Sequence, residues 1–175
     1  MTTALPLPEE DIQRLISKNV KSVFSTMLDL EIVSGKGGST GQPVEGKSVI
    51  ALLGFTGPWN GTGMIQCSDR LGCLIGSRLF FEEFTEVNDE VLDGIGEIAN
   101  MVIGNFKEDA SDRLGVLSLG TPTVILGDHF QTRMWQGHQW VDSVFECEGE
   151  LFKVRLCLVA CHAAVSSPVA TILSA

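Results

Sequence analysis

The sequence predicts an α+β fold in which a largely antiparallel β-sheet packs against two long amphipathic helices. Apolar residues recur at helical spacing over residues 9 to 28 and again over 88 to 108, as they do in helices with one buried face. Much of the second half alternates apolar and polar residues instead, which is typical of antiparallel strands. Together the two patterns favour an α+β sandwich.

Length and composition restrict the possible functions. The chain has 175 residues, of which 44% are hydrophobic and 19% charged, and this fits one domain over residues 1 to 175 with a core from about 9 to 162. The net charge of −10 argues against nucleic-acid or membrane binding, because both reward clustered Lys and Arg. With no leader-like start and no bilayer-spanning apolar run, we expect a cytoplasmic protein.

The cysteines predict buried thiols. There are five of them, an odd number without CxxC spacing, which argues against a disulfide framework. Cys157, Cys161 and His162 could form part of a metal site, but in a strand His162 would point away from both cysteines. Structural thiols are therefore favoured, and we expect no metal or cofactor belonging to the protein itself.

The first half of the chain contains a helix, a hairpin and a second, shorter helix. The helix of residues 9 to 28 precedes a short strand at LEIV, residues 30 to 33, and a glycine-rich loop that ends at residue 46. SVIALLGF and TGMIQCS are strand-like runs around GPWNG, whose Asn60-Gly61 pair predicts the hairpin turn. Residues 69 to 80 predict the shorter helix, with Asp69 or Ser68 at its N-terminus.

The second half begins with a capped helix and continues with strands. Asn88 is the predicted cap of a helix that runs to about residue 108. An extended segment around Pro122 follows, and then FQTRMW, VDSVFECE and LFKVRLCLVACHA, which read as antiparallel strands, the last two joined by a turn near Gly149. The C-terminal tail VSSPVATILSA is expected to be peripheral or to make a dimer contact.

Two strings match nucleotide-binding motifs without their structural context. GQPVEGKS, residues 41 to 48, fits the phosphate-loop pattern, but a strand-like run follows Ser48 where the motif requires a helix. GIGEIA, residues 94 to 99, fits the dinucleotide fingerprint, but no strand precedes it and its surroundings are acidic. Nucleotide binding therefore remains a disfavoured hypothesis, which a lack of ATP binding or indifference to Lys47→Ala would remove.

The predicted helix of residues 88 to 108 carries a polar stripe opposite its apolar face. At about 100° per residue, Asp93, Glu97, Asn100, Gly104 and Lys107 fall within roughly 80° of one another. An interior glycine costs about 1 kcal/mol relative to alanine, so Gly104 indicates a close approach, and a partner could lie against it. Helix statistics alone favour the alternative of a polar face that is only solvated.

The stripe resembles the signature of a known family. The spacing Asp93-x-x-x-Glu97-x-x-Asn100, followed by Pro122, is similar to that of the CheC/CheX/FliY family of chemotaxis phosphatases. EIANMVIGN, LSLGTPTVILG and KNVKSVFSTMLDLEI resemble the CheX branch, and the similarity extends over roughly residues 10 to 160. CheC-type members carry two Glu/Asn pairs, whereas the first helix here offers Lys18, Asn19 and Ser22 without a matching glutamate, which favours CheX.

The resemblance implies a CheC-like fold and a reaction. The substrate would be the aspartyl phosphate of a phosphorylated CheY-type response regulator, which supplies the acyl phosphate, its Mg²⁺ and a lysine. Asn100 would orient the attacking water, because a neutral amide does not repel the phosphoryl anion. Glu97 would dock on the regulator's lysine, Asp93 would support docking or orientation, and the partner would approach at Gly104.

The family resemblance also leaves an alternative open. A module of the same fold could bind a response regulator, or act as a dimeric scaffold, without catalysis. The intact Glu97/Asn100 pair favours catalysis. A homodimer is implied by the resemblance, and symmetric dimers are common; no nucleic-acid or membrane partner is expected.

Overall fold

The computed structural model describes residues 5–35, 46–128 and 140–161. Four helices lie at α1 (Glu9–Val23), α2 (Asp69–Phe80), α3 (Asp89–Asp109) and α4 (Ser111–Leu114), and a π-helical turn (Phe24–Leu28) extends α1. Seven strands lie at β1 (Val33–Ser34), β2 (Lys47–Thr56), β3 (Trp59–Ser68), β4 (Ser118–Leu119), β5 (Thr123–Asp128), β6 (Val141–Cys147) and β7 (Glu150–Ala160).

The seven strands form one antiparallel sheet, as the sequence predicted. Its order is β1-β6-β7-β3-β2-β4, and β5 pairs with β2 beside β4. Thus two strands share one edge of β2: β5 runs along its first half and β4 along its end. The segment between them contains Pro122, which has no N–H to donate to a sheet ladder. The pairing along this edge of β2 is therefore interrupted at Pro122, which is free to face a helix.

The helices lie against the sheet and enclose the core, which confirms the predicted α+β class. α3 packs between α1 and α2 and also contacts β2, β3 and β5. The core combines alternate residues of the strands, such as Val49, Ala51 and Leu53 of β2, with the apolar faces of the helices. Within the described ranges no helix is long and apolar enough to cross a membrane.

The predicted helix boundaries are confirmed, and local caps explain them. Ser68 accepts a hydrogen bond of 3.1 Å from the Leu71 N–H at the start of α2. Asn88 accepts one of 2.9 Å from the Val91 N–H at the start of α3. Each cap satisfies one of the N–H groups that the first helical turn leaves unpaired. At Asp29, which has a left-handed backbone (φ 52°), the first helix ends.

The predicted hairpin turn at Asn60-Gly61 is wrong, because both residues lie inside β3. The turn between β2 and β3 falls at Gly57-Pro58, and Gly61 pairs with Phe55 on one side and Leu158 on the other. A Cβ on Gly61 would collide with the carbonyl oxygen of Cys157. Gly61 thus serves close strand packing rather than a turn.

The other strand predictions have mixed outcomes. β6 and β7 are joined by Glu148 and Gly149, both with positive φ, so the turn predicted near Gly149 is confirmed. The short strand predicted at residues 30 to 33 begins only at Val33. The FQTRMW strand, the glycine-rich loop after residue 35 and the C-terminal tail lie outside the described residues.

The interpretation of the cysteines as buried thiols holds for four of the five. Cys67, Cys73, Cys147 and Cys157 are buried free thiols, whereas Cys161 follows the end of β7 and is exposed. Burial raises the pKa of Cys67 to about 12, so this thiol stays protonated and unreactive near neutral pH. His162 lies outside the described residues.

Candidate functional site

The site is built on α3, the central helix of the layer. One side of this helix is fully buried against the sheet and its neighbouring helices, with Val91, Ile95, Ile98, Val102, Ile103 and Phe106 in the core. This burial fixes the rotation of the helix about its axis. The opposite side must therefore face outward.

The four site residues predicted from the sequence lie together on that outward side. Asp93 and Glu97 are exposed, whereas Asn100 and Gly104 are partly buried. They follow one another at intervals of three or four residues along a single helix, so their side chains are stacked on one strip. Together with Lys107, which is also partly buried, they form the polar stripe.

Asn100 differs from two other asparagines of the chain in how its amide is used. Asn88 caps α3, and Asn19 donates to both the Leu15 carbonyl and the Asp109 carboxylate. Within the described parts of the chain the Asn100 amide makes no hydrogen bond, although its side chain is only partly exposed. One donor group and one acceptor group are therefore available at this point to an external partner.

Two glycines beside the polar stripe allow apolar groups to flank it. A Cβ on Gly94 would lie 2.9 Å from the Phe80 ring, and a Cβ on Gly96 would lie 3.2 Å from Val124 and 3.6 Å from Pro122. The contacts with Phe80 and Val124 would be tighter than side chains normally make, whereas the distance to Pro122 is an ordinary contact. These two glycines thus admit packing neighbours, and the stripe lies between Phe80 on one side and Pro122 on the other.

Gly104 has a different environment. Of the residues that the structure describes, a Cβ there would meet only Leu119, whose Cδ2 would lie at the ordinary contact distance of 3.8 Å. Packing within the chain therefore does not require a glycine at this position. That result agrees with the idea that the space is kept for a partner, which stays a prediction.

The surroundings of the polar stripe are strongly acidic. Residues 79 to 106 contain seven carboxylates and no Lys or Arg, and all seven are exposed: Glu82, Glu83, Glu86, Asp89, Glu90, Asp93 and Glu97. Lys107, at the C-terminal end of the stripe, forms an ion pair of 2.8 Å with Glu108. The face thus presents a negative potential that attracts basic groups.

The corresponding polar residues of α1 do not form a second site of this kind. Asn19 is only 4% exposed, and its amide donates 3.0 Å hydrogen bonds to Leu15 O and Asp109 Oδ2. Lys18 donates to the same Asp109 oxygen at 2.9 Å. These two donors, Lys18 foremost, lower the pKa of Asp109. The amide is occupied internally, so the first helix tethers α3 rather than presenting a reactive group.

The structure also shows that neither nucleotide-binding string has the structural context that its motif requires. Lys47 and Ser48 begin β2, so a strand follows the GQPVEGKS string in place of the helix that would bind phosphate. GIGEIA lies within α3 and starts five residues after the helix begins at Asp89. Neither string therefore stands at a strand-to-helix turn.

Sequence reasoning missed the apolar flank of the site. Phe80, the last residue of α2, is 44% exposed and makes an edge-to-face contact with Phe84 at 6.3 Å. The sequence did offer one signal for this flank, the Phe80-Phe81 pair at the end of α2. The other apolar residues of that helix already account for its buried face, so the pair was left without a place in the core.

Comparison with known proteins assigns the chain to one family. The model of the family described as "Chemotaxis phosphatase CheX" matches residues 49–143, more than half of the chain. A search of curated proteins finds no match.

Solved structures agree on the fold. The chemotaxis protein CheX from Vibrio vulnificus has a TM-score of 0.75 at 23% identity, covering 85% of this chain and 99% of its own. A CheC-like superfamily protein from Shewanella has a TM-score of 0.74 at 24% identity, covering 85% and 97%. A CheX–CheY–BeF₃–Mg²⁺ complex from Borrelia burgdorferi has a TM-score of 0.67 at 20% identity, covering 83% of this chain and 96% of its own.

Proposed function

This chain belongs to the CheX family of chemotaxis phosphatases, and from that premise we propose that it hydrolyses the aspartyl phosphate of a phosphorylated CheY-type response regulator. The observation that carries the proposal is the Asn100 amide, which lies on the outward face of α3 without a hydrogen-bond partner among the described residues. Because the CheX of Borrelia burgdorferi forms a complex with CheY, a CheY-type receiver is the partner to test first.

The proposed reaction needs little covalent chemistry from this chain. A water oxygen bonds to phosphorus, the bond from phosphorus to the aspartyl oxygen breaks, and inorganic phosphate and a free carboxylate result. The Asn100 amide oxygen accepts a hydrogen bond from the water while its NH₂ donates to a phosphoryl oxygen, which holds the water in line. The acyl phosphate and the expected Mg²⁺ belong to the receiver, and we expect no cofactor on this chain.

Glu97 takes a docking role in this proposal. A carboxylate beside a phosphoryl group would be repelled, but the same carboxylate is attracted by a lysine next to that group. Glu97 is exposed and lies one turn before Asn100, so an ion pair at Glu97 would bring the amide over the phosphorus. Asp93 extends the acidic contact by a further turn, and Gly104 lets the receiver backbone approach the helix.

The experiment that tests the proposal is phosphate release from a phosphorylated CheY-type receiver with Mg²⁺, measured with and without the protein. Catalysis predicts a faster release that turns over many receivers per protein molecule. Binding without any acceleration, across several receivers, would support the alternative of a non-catalytic response-regulator-binding module.

We further propose that the protein is a homodimer, as the family resemblance implies. The expected mass in solution is twice that of the 18.9 kDa chain. Light scattering coupled to size-exclusion chromatography measures it, and a mass that stays at one chain over all concentrations would contradict the dimer.

A further inference from the structure

The residue after α2 combines exposure with an unfavourable backbone conformation. Phe81 is 95% exposed and has φ 56° and ψ 35°, in the left-handed region. That region is disfavoured for any residue with a Cβ, and a bulky side chain there is a genuine outlier. Phe81 therefore gains neither packing nor backbone stability within the chain, and such strain often accompanies function.

The other two non-glycine residues with positive φ in the described ranges stand, like Phe81 at the C-cap of α2, where an element ends or turns. Asp29 ends the first helix, and Glu148 stands in the β6–β7 turn. Both are acidic residues, which suit the surface, and Asp tolerates this conformation well. Phe81 alone among the three is apolar, so turn formation does not explain the choice of side chain.

Contacts on either side hold Phe81 in a defined place. Before it, Phe80 packs on Gly94 of α3. After it, the Phe84 N–H donates a 2.9 Å hydrogen bond to the Ser77 hydroxyl, which closes the chain back onto α2. The exposed ring is thus presented from a fixed turn, which lowers the entropy lost when a partner covers it.

This turn lies beside the polar stripe. At about 100° per residue, Glu90 and Glu97 project from α3 between the directions of Gly94 and Asp93. The Phe80 ring over Gly94 therefore borders the two carboxylates, and Phe81 follows directly in the chain. Phe81 is thus the direct neighbour in the chain of a residue that borders the polar stripe.

The charges around Phe81 specify the kind of partner. The seven exposed carboxylates of residues 79 to 106 have no Lys or Arg in that range, and none forms an ion pair with another described residue, including Arg78, which directly precedes the range. A partner that covers them must supply basic groups, since an acidic or neutral surface would leave the carboxylates repelled or desolvated without compensation. The exposed Phe81 ring, which directly precedes Glu82 and Glu83 in the chain, requires an apolar pocket.

We propose that Phe81 is the apolar anchor of the docking surface, and that it inserts into an apolar pocket bordered by basic residues on the CheY-type receiver. This inference rests on the proposed function and adds a docking residue outside α3. Phe81 itself touches no reacting atom. Its contribution is to affinity, whereas Asn100 acts on the bound phosphoryl group.

The test is Phe81→Gly, measured for binding and turnover separately. Binding is titrated with a receiver carrying beryllofluoride, and turnover is phosphate release at saturating phosphorylated receiver. We expect the Kd to rise about tenfold or more, with kcat within about twofold of wild type because the chemistry lies elsewhere. The melting temperature should be unchanged or higher, because glycine suits a φ of 56°.

Two further variants control this experiment. Val116→Ser removes another exposed apolar side chain, 85% exposed and located after α4, beyond the C-terminal end of α3, and should leave the Kd unchanged. Phe81→Leu keeps an apolar side chain and should recover most of the affinity. A Kd for Phe81→Gly equal to that of wild type would overturn the inference.

The outcomes also separate this inference from the proposed function. If wild type binds and dephosphorylates the receiver and Phe81→Gly binds equally well, only the anchor is wrong. If wild type neither binds nor dephosphorylates any receiver, both proposals fail. If instead the variant loses self-association while receiver binding is unchanged, the ring is covered by a second copy and the inference is overturned.

Discussion

The side-chain amide of Asn19 donates a 3.0 Å hydrogen bond to Asp109 Oδ2, linking the buried face of α1 to the last residue of α3. Lys18 donates to the same oxygen from the solvent side. The asparagine of the first helix is therefore used to hold the helix layer together. Among the described residues Asn100 keeps its amide free of such internal contacts, and this part of the chain presents one candidate site of this kind.

The link from Asn19 to Asp109 predicts an acid-dependent loss of stability. The pKa of Asp109 is lowered by Lys18 and Asn19, so the carboxylate stabilises the fold at pH values above about 3.9, the ordinary value for Asp. This contribution disappears as the pH falls below 3.9 and through the lowered pKa. We expect Asp109→Asn to reduce the free energy of unfolding by about 1 kcal/mol at pH 7.

Urea denaturation at pH 7 and at several pH values below 4 measures this effect. The difference between wild type and Asp109→Asn should shrink as the pH decreases. Asp112→Asn is the matched control, because Asp112 is exposed and forms no ion pair with another described residue, and it should resemble wild type throughout. A difference that stays constant with pH would contradict the assignment.

Gly104 and Gly96 are predicted to respond differently to alanine. Replacing Gly104 should raise the free energy of unfolding by about 0.5–1 kcal/mol, because alanine favours the helix and the added methyl meets only Leu119 at 3.8 Å. Gly96→Ala should gain less or lose stability, because its methyl would lie 3.2 Å from Val124. Thermal or urea denaturation measures which of the two variants is the more stable.

Gly104→Ala also tests whether the glycine leaves space for a partner. We expect Gly104→Ala to bind the receiver less well although it is more stable than wild type, since the methyl occupies space that the receiver needs. Equal affinity for wild type and Gly104→Ala would show that the receiver does not approach the helix at this position.

Glu97 is predicted to act through affinity. Glu97→Gln should raise the Kd for a beryllofluoride-loaded receiver about tenfold at low salt, and added salt should narrow the difference by screening the ion pair. Glu10→Gln removes an equally exposed carboxylate from α1 and should leave the Kd unchanged. A fall in kcat for Glu97→Gln at an unchanged Kd would instead give Glu97 a role in the chemistry.

Much of α3 was predictable because its determinants are local. The Asn88 cap acts over three residues, and the helical period separates the buried face from the polar stripe without knowledge of the fold. The antiparallel strands were likewise visible as alternating patterns. These parts of the site depend on residues that are neighbours in the sequence.

What the sequence did not predict depends on contacts between distant segments. Gly61 looked like a turn residue, but its role is to let the Cys157 backbone approach. Phe80 and Pro122 flank the polar stripe only because α2 and β5 pack on opposite sides of α3. No local pattern encodes these neighbours, so the apolar part of the site emerged only from the structure.

Catalysis by the Asn100 amide is tested by the rate of phosphate release from one phosphorylated CheY-type receiver with Mg²⁺, compared for wild type, Asn100→Ala and Asn105→Ala. Asn105 is an exposed asparagine of the same helix, about 140° around the axis from Asn100. If the Asn100 amide positions the attacking water, Asn100→Ala loses about 10²–10³-fold in rate at unchanged stability, whereas Asn105→Ala equals wild type. An Asn100→Ala rate equal to that of wild type would contradict this role.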